Sequence, residues 1–179
     1  FVRAILSAEV RYRAKVAEVG PRHIDALLAR RDLAQMYMST NRIDDAELIL
    51  VEVFQGMSDR EPNDAIRAFT IGLLGRCLVL REKKQPDDWR TFNTQSLLGG
   101  ALLGQKKYAD AEPLLLKGYE GMKQREKTIP PEGATRLPEA LDRLIELSTA
   151  TKKPDEAKKW RAERAKYPAE QAPMPREKK

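Results

Sequence analysis

The sequence predicts an all-α protein of about eight helices in which neighbouring helices run antiparallel. Residues that favour helices dominate the chain, while aromatic residues make up only 6% of its 179 positions. Apolar residues recur at helical spacing and seldom alternate with polar ones, as they would in a strand. Breakers rich in proline, glycine and asparagine separate these segments, and the loops that they leave are short, which favours antiparallel neighbours.

The helical segments follow from the breakers in order. Asp64, Asp87 or Asp88, and Thr135 stand where the N-caps of three of the helices are expected, and Pro138 falls in a first turn, where a missing N–H costs little. The predicted helices lie near 2–18, 22–40, 43–58, 64–84, 88–104, 107–126, 136–151 and 154–167.

Three glycines in 97–115, Gly99, Gly100 and Gly104, raise the question of a phosphate-binding loop. Such a loop needs glycines between a strand and a helix, so that free backbone N–H groups face the anion. Here the apolar positions around the glycines continue a helix. We therefore interpret Gly99 as a close-packing position between two helices and Gly104 as a helix C-cap.

Three segments of the chain resemble one another. They cover 33–47, 98–112 and 144–158. In each an alanine (Ala46, Ala111 or Ala157) stands nine residues after a position that is usually bulky, here Tyr37, Leu102 or Ser148. This pattern resembles the tetratricopeptide repeat, a helix–turn–helix unit, and its long spacing is similar to that of the kinesin-light-chain subclass. The string 81–89, Arg-Glu-Lys-Lys-Gln-Pro-Asp-Asp-Trp, also resembles repeat regions attached to bacterial serine/threonine protein kinases.

The resemblance implies a right-handed α-solenoid, with one repeat domain over 1–168. Its good repeats are 27–58 and 92–123, its extra helix is 64–84, and a degenerate repeat at 138–167 caps the array. Residues 150–179 hold ten lysines and arginines against five acidic residues, a surplus of +5 in a net charge of +6. We expect the end of this segment, 169–179, to be a disordered basic tail because it lacks apolar periodicity.

Residue types that carry chemistry are scarce. His23 is the single histidine and Cys77 the single cysteine. We expect His23 to be exposed or to cap a helix, Cys77 to be a small buried hydrophobe, and Trp89 and Trp160 to anchor packing. The chain has no nucleotide-binding, zinc-ligand or nucleophile-elbow motif and no membrane span, so we predict no enzyme activity, cofactor or metal. The lone cysteine favours a cytoplasmic location, and an extracytoplasmic one stays open because the chain begins at Phe1.

A repeat array of this kind binds its partners on the concave face, which the first helices line. The resemblance places six partner-binding residues there, and their counterparts in the weak third repeat are Glu139, Asp142, Glu146 and Thr149. The mixed polar and apolar character suits a peptide or helical segment of another protein. The alternative, suggested by the basic composition, is a module that binds nucleic acid or a membrane surface. The six predicted residues are Arg31, Gln35, Met38, Asn93, Ser96 and Leu103.

Overall fold

The computed structural model describes residues 2–21, 23–56 and 64–167, and within them the chain is helical with no strand. This confirms the all-α prediction and its helix count. The predicted tail 169–179, the breaker at 61–63 and the capping side chain of Asp64 lie outside what is described. The eight α-helices are α1 (Val2–Val19), α2 (Ile24–Ser39), α3 (Ile43–Gly56), α4 (Asp64–Lys84), α5 (Trp89–Gly104), α6 (Tyr108–Gln124), α7 (Arg136–Ala150) and α8 (Pro154–Arg164), with short 3-10 turns at Glu126–Thr128 and Pro131–Gly133.

The chain forms two compact units, residues 1–86 and residues 87–179. In the first unit α1 packs on α2, α2 and α3 form a hairpin, and α4 packs against both helices of that hairpin. In the second unit α5 and α6 form the hairpin, α7 packs against both of its helices, and α8 folds back on α7. The extra helix α4 therefore holds the same place beside its hairpin as α7 does, although its sequence lacks the repeat pattern.

The turns of the three predicted repeats share one backbone geometry. Asn41, Lys106 and Lys152 have positive φ values of 63°, 61° and 57°. In each turn this residue donates its N–H to the carbonyl three residues back, and the next residue donates to the carbonyl five residues back, at 2.8 to 3.2 Å. These two bonds form a Schellman motif, which satisfies carbonyls at a helix C-terminus. The repeat register read from the sequence is thus visible as a repeated turn.

Two predicted helix ends differ in detail. Gly104 is not the left-handed residue after its helix but the last residue within it, and Lys106 takes the left-handed conformation instead. The Schellman bonds hold that conformation, so glycine is not required there. Thr135 precedes α7 without a capping hydrogen bond from its side chain. Asp88 does cap α5, since its carboxylate accepts from the Arg90 N–H at 2.8 Å.

Glycines line the contact between α5 and α6 and allow the two helices to approach closely. A Cβ added at Gly99 would come within 2.8 Å of the Leu115 side chain, which confirms that this glycine serves packing. Across the same contact, a Cβ at Gly118 would come within 2.7 Å of the Ser96 backbone nitrogen. One at Gly121 would overlap the Phe92 ring, within 2.0 Å of Cδ1. The two helices approach closely enough to leave no room for side chains at these positions.

The core of each unit forms around the buried faces of its hairpin. The three repeat alanines Ala46, Ala111 and Ala157 are all buried, as the pattern predicts. Trp160 is also buried and meets the Tyr119 ring edge-on, with ring centroids 5.5 Å apart. These contacts confirm Trp160 as a packing anchor. The buried cluster of the second unit contains Leu103, Ala111, Leu115, Tyr119, Met122, Leu137, Ala140, Leu141, Leu144, Leu147 and Trp160.

Candidate functional site

Several polar side chains of the second unit lie where α5 packs beside α7. Asn93, Ser96 and Gly100 are three and four residues apart on α5, so they share one side of that helix. Glu139 and Arg143 are four apart on α7, and Arg143 contacts both Ser96 and Gly100. We call these five residues the α5–α7 face.

Arg143 is the central group of this face. Its Nη1 donates to Ser96 Oγ at 3.1 Å, and its Nη2 lies 3.7 Å from Glu139 Oε2. The aliphatic part of the side chain lies over Gly100, where a Cβ would come within 2.8 Å of Arg143 Cδ. Burial lowers the pKa of the Arg143 guanidinium, and the Glu139 carboxylate acts in the opposite direction. An arginine keeps its charge at neutral pH even so. The face therefore presents a fixed cation.

Asn93 contributes a buried side-chain oxygen to the α5–α7 face. The residue is only 7% exposed, and its Oδ1 is buried without a donor in the described part of the chain. A buried acceptor left unpaired costs on the order of 1–3 kcal/mol. The oxygen is inaccessible as the side chain stands, so a ligand N–H would reach it only after the amide rotates, and would then remove that cost.

The first unit carries a smaller version of this arrangement where α2 lies beside α4. Arg31 stacks on the Phe69 ring, with the guanidinium carbon 4.6 Å from the ring centroid, and it pairs with Asp32 at 2.8 Å. Gln35 lies one turn further along α2 and is half-buried. Phe69 itself is 43% exposed. These side chains leave an accessible patch of mixed character on α2 and α4.

The other predicted site residues are packed inside their units. Met38 is 7% exposed and Leu103 is 4% exposed, and Leu103 belongs to the core cluster of the second unit. Little of either side chain is left for a partner. Ser96 is fully buried, and its hydroxyl serves to hold Arg143.

Two residues of these faces were missed by reasoning from the sequence. On α7 the resemblance pointed to Asp142, whereas Arg143 contacts α5 and Asp142 pairs with Arg164 of α8 at 2.8 Å. The spacing of Glu139 and Arg143, an acid four residues before a base, was the available signal. Phe69 was not among the predicted site residues.

The remaining reactive side chains have structural roles. Cys77 is fully buried, and burial raises the pKa of its thiol to about 12. His23 caps α2, with Nδ1 accepting from the Asp25 N–H at 3.2 Å, as expected. Across residues 2–21, 23–56 and 64–167, His, Cys, Asp and Glu nowhere gather in a group that could hold a metal ion. In those same ranges no helix has the length and apolar character needed to cross a membrane.

No protein-family model matches this chain, and a search of the curated proteins gives no match. The likeness to tetratricopeptide repeats therefore stays a prediction. Its support from the fold is the repeated turn and the three buried alanines.

Proposed function

We propose that this chain is a non-catalytic protein-interaction module that binds a peptide or helical segment of another protein on the side of its first helices. The observation that carries the proposal is the buried, unpaired Oδ1 of Asn93 within the α5–α7 face. Buried polar groups in folded proteins are almost always hydrogen-bonded. An exception one helical turn from Ser96, which binds Arg143, suggests a site whose partner is a ligand.

The chemistry of the α5–α7 face suits a polypeptide backbone. A peptide N–H would donate to Asn93, and a peptide carbonyl or carboxylate would accept from Arg143, whose guanidinium has further donors beyond the one bound to Ser96. Glu139 pairs with Arg136 at 2.9 Å, and it stays partly exposed. Hydrogen bonds to the peptide backbone would fix the orientation of the bound peptide, while apolar contacts around them would supply most of the affinity.

The proposal also covers the larger protein to which the module would belong. The string 81–89 resembles repeat regions attached to bacterial serine/threonine protein kinases. We propose on that likeness that the module is the regulatory or interaction region of a larger kinase-containing protein. Its location would then be cytoplasmic.

Selection from a library of random 12-residue peptides tests the proposal without a known partner. The chain is immobilised, and the affinity of the best selected peptide is measured by fluorescence anisotropy. We expect Asn93→Ala to weaken binding about five- to ten-fold, the effect of one hydrogen bond worth about 1 kcal/mol. The matched control is Gln124→Ala, which removes an exposed amide at the end of α6 and should leave the affinity unchanged.

The salt dependence of the affinity for the same peptide distinguishes this function from binding to nucleic acid or a membrane surface. Binding through backbone groups should change less than about three-fold between 50 and 300 mM salt, because few charges are neutralised. A site for phosphates would lose about a hundred-fold or more over that range. Failure to select any peptide, together with steeply salt-dependent binding to duplex DNA or anionic vesicles, would contradict the proposal.

A further inference from the structure

Helix α1 has two apolar faces, of which only one is packed within the first unit. On the packed face Ile5 and Ala8 are buried, and the Tyr37 hydroxyl of α2 donates to Glu9 at 2.8 Å. On the other face Leu6 is 53% exposed and Val10 is 66% exposed. These two residues are four apart and so lie on the same side of the helix.

The exposed apolar face continues along the helix as small residues. Ala14 and Ala17 follow Val10 at helical spacing and are both exposed. Small side chains let another helix approach closely, at an axial distance of roughly 8 Å. We call Leu6, Val10, Ala14 and Ala17 the outer face of α1.

Arginines without partners border the outer face. Arg3, Arg11 and Arg13 are exposed, and none of them makes an ion pair within the described residues. The acids of α1 are not available to them, because Glu9 accepts from Tyr37 and Glu18 pairs with Lys15 at 2.7 Å. The face therefore combines apolar area with uncompensated positive charge.

We propose that the outer face of α1 binds an acidic amphipathic helix of a partner protein. Apolar side chains of that helix would lie against Leu6 and Val10, and its carboxylates would pair with Arg3 and Arg13. This surface is separate from the α5–α7 face and does not depend on the function proposed for it.

Charge and composition argue against two other occupants. A second copy of the chain that used the same face would bring the arginines of two α1 helices together, which is unfavourable. Helices that insert into membranes carry a broad apolar face rich in aromatic and leucine side chains. The outer face has only two large apolar side chains and no aromatic ring. A helix with complementary charge fits both features.

Two designed peptides test the proposal on the full chain. Both form an 18-residue helix with leucine on one face, and the flanking positions are glutamate in one peptide and lysine in the other. We expect the glutamate peptide to bind at least ten-fold more tightly than the lysine peptide at 50 mM salt. Leu6→Asp combined with Val10→Asp should abolish that binding. The matched control, Val79→Asp, changes a valine of α4 that is 63% exposed and should leave binding intact.

Charge reversal at exposed arginines gives an independent measurement. Arg3→Glu combined with Arg13→Glu should invert the preference, so that the lysine peptide binds more tightly. Equal binding of the two peptides, no binding of the glutamate peptide, or affinity unchanged in the Leu6 and Val10 variant would overturn the proposal. The proposal would also be overturned if sedimentation showed a dimer that the Leu6 and Val10 variant dissociates. Binding to anionic vesicles without binding to the glutamate peptide would overturn it as well.

Discussion

The side chain of Arg143 lies directly over Gly100, and its Cδ is placed where it would come within 2.8 Å of any Cβ at that position. The contact joins α5 to α7 and directs the guanidinium to Ser96 at 3.1 Å. Gly100 is thus the residue that allows the arginine to lie flat on the helix. The contact between α5 and α6 contains glycines of a different kind, such as Gly118 of α6, which faces backbone atoms of α5.

We expect Gly100→Ala and Gly118→Ala to have opposite effects on stability. At Gly100 the new methyl group meets only side-chain atoms of Arg143, which can shift where backbone atoms cannot, and alanine gains roughly 0.5–1 kcal/mol of helix propensity, so the melting temperature should hold or rise. At Gly118 it meets the Ser96 nitrogen at 2.7 Å and the Phe92 carbonyl at 2.8 Å, so the helices must separate. Overpacking of this kind costs about 1–3 kcal/mol. Thermal unfolding followed by circular dichroism measures both, and equal effects would show that the glycine contacts do not decide stability.

Ala111→Arg should strongly destabilise the chain, because a long charged side chain would have to enter a fully buried position. We expect a loss of about 3 kcal/mol or more in the free energy of unfolding. Ala109→Arg is the matched control on the same helix, since Ala109 is exposed and should tolerate the change. Urea denaturation gives both values. An unchanged midpoint for Ala111→Arg would mean that the repeat register is wrong.

The thiol of Cys77 should resist alkylation in the native protein. Burial raises its pKa to about 12, so only about one molecule in ten thousand carries the thiolate at pH 8. The group is an acid with a raised pKa, so its contribution to stability is fully present below the unfolded pKa, near 8.5, and is lost as pH rises toward 12. Mass spectrometry after iodoacetamide treatment should show labelling in urea and none in buffer. Rapid labelling of the folded chain would contradict the burial of this residue.

Local sequence signals were sufficient for the helices and the turns. Apolar periodicity and breakers predicted each helix to within a few residues, because both act within a single segment. The site residues depend on which side of a helix meets another helix, and local patterns do not determine this. For this reason the sequence did not predict that Arg143 contacts α5, or that Met38 and Leu103 are buried.

Asn93→Leu should stabilise the chain while it weakens binding. Leucine has a similar volume, and it replaces an acceptor that is buried without a partner. Removal of that unpaired group should add about 1 kcal/mol to the free energy of unfolding. A gain in stability with a loss of affinity is typical of a residue kept for function. If Asn93→Leu lowers the melting temperature by several degrees, the amide has a structural role instead.

Photocrosslinking tests most directly whether a peptide binds along the first helices of the second unit. A photoreactive benzoylphenylalanine replaces Glu139 in the α5–α7 face or, as the control, the exposed Glu120 on the second helix α6. The peptide selected from the random library is added and irradiated, with and without excess unlabelled peptide. We expect a crosslink from position 139 that excess peptide suppresses, and none from position 120. A competed crosslink from position 120 with none from position 139 would place the binding site on the second helices and contradict the proposed function.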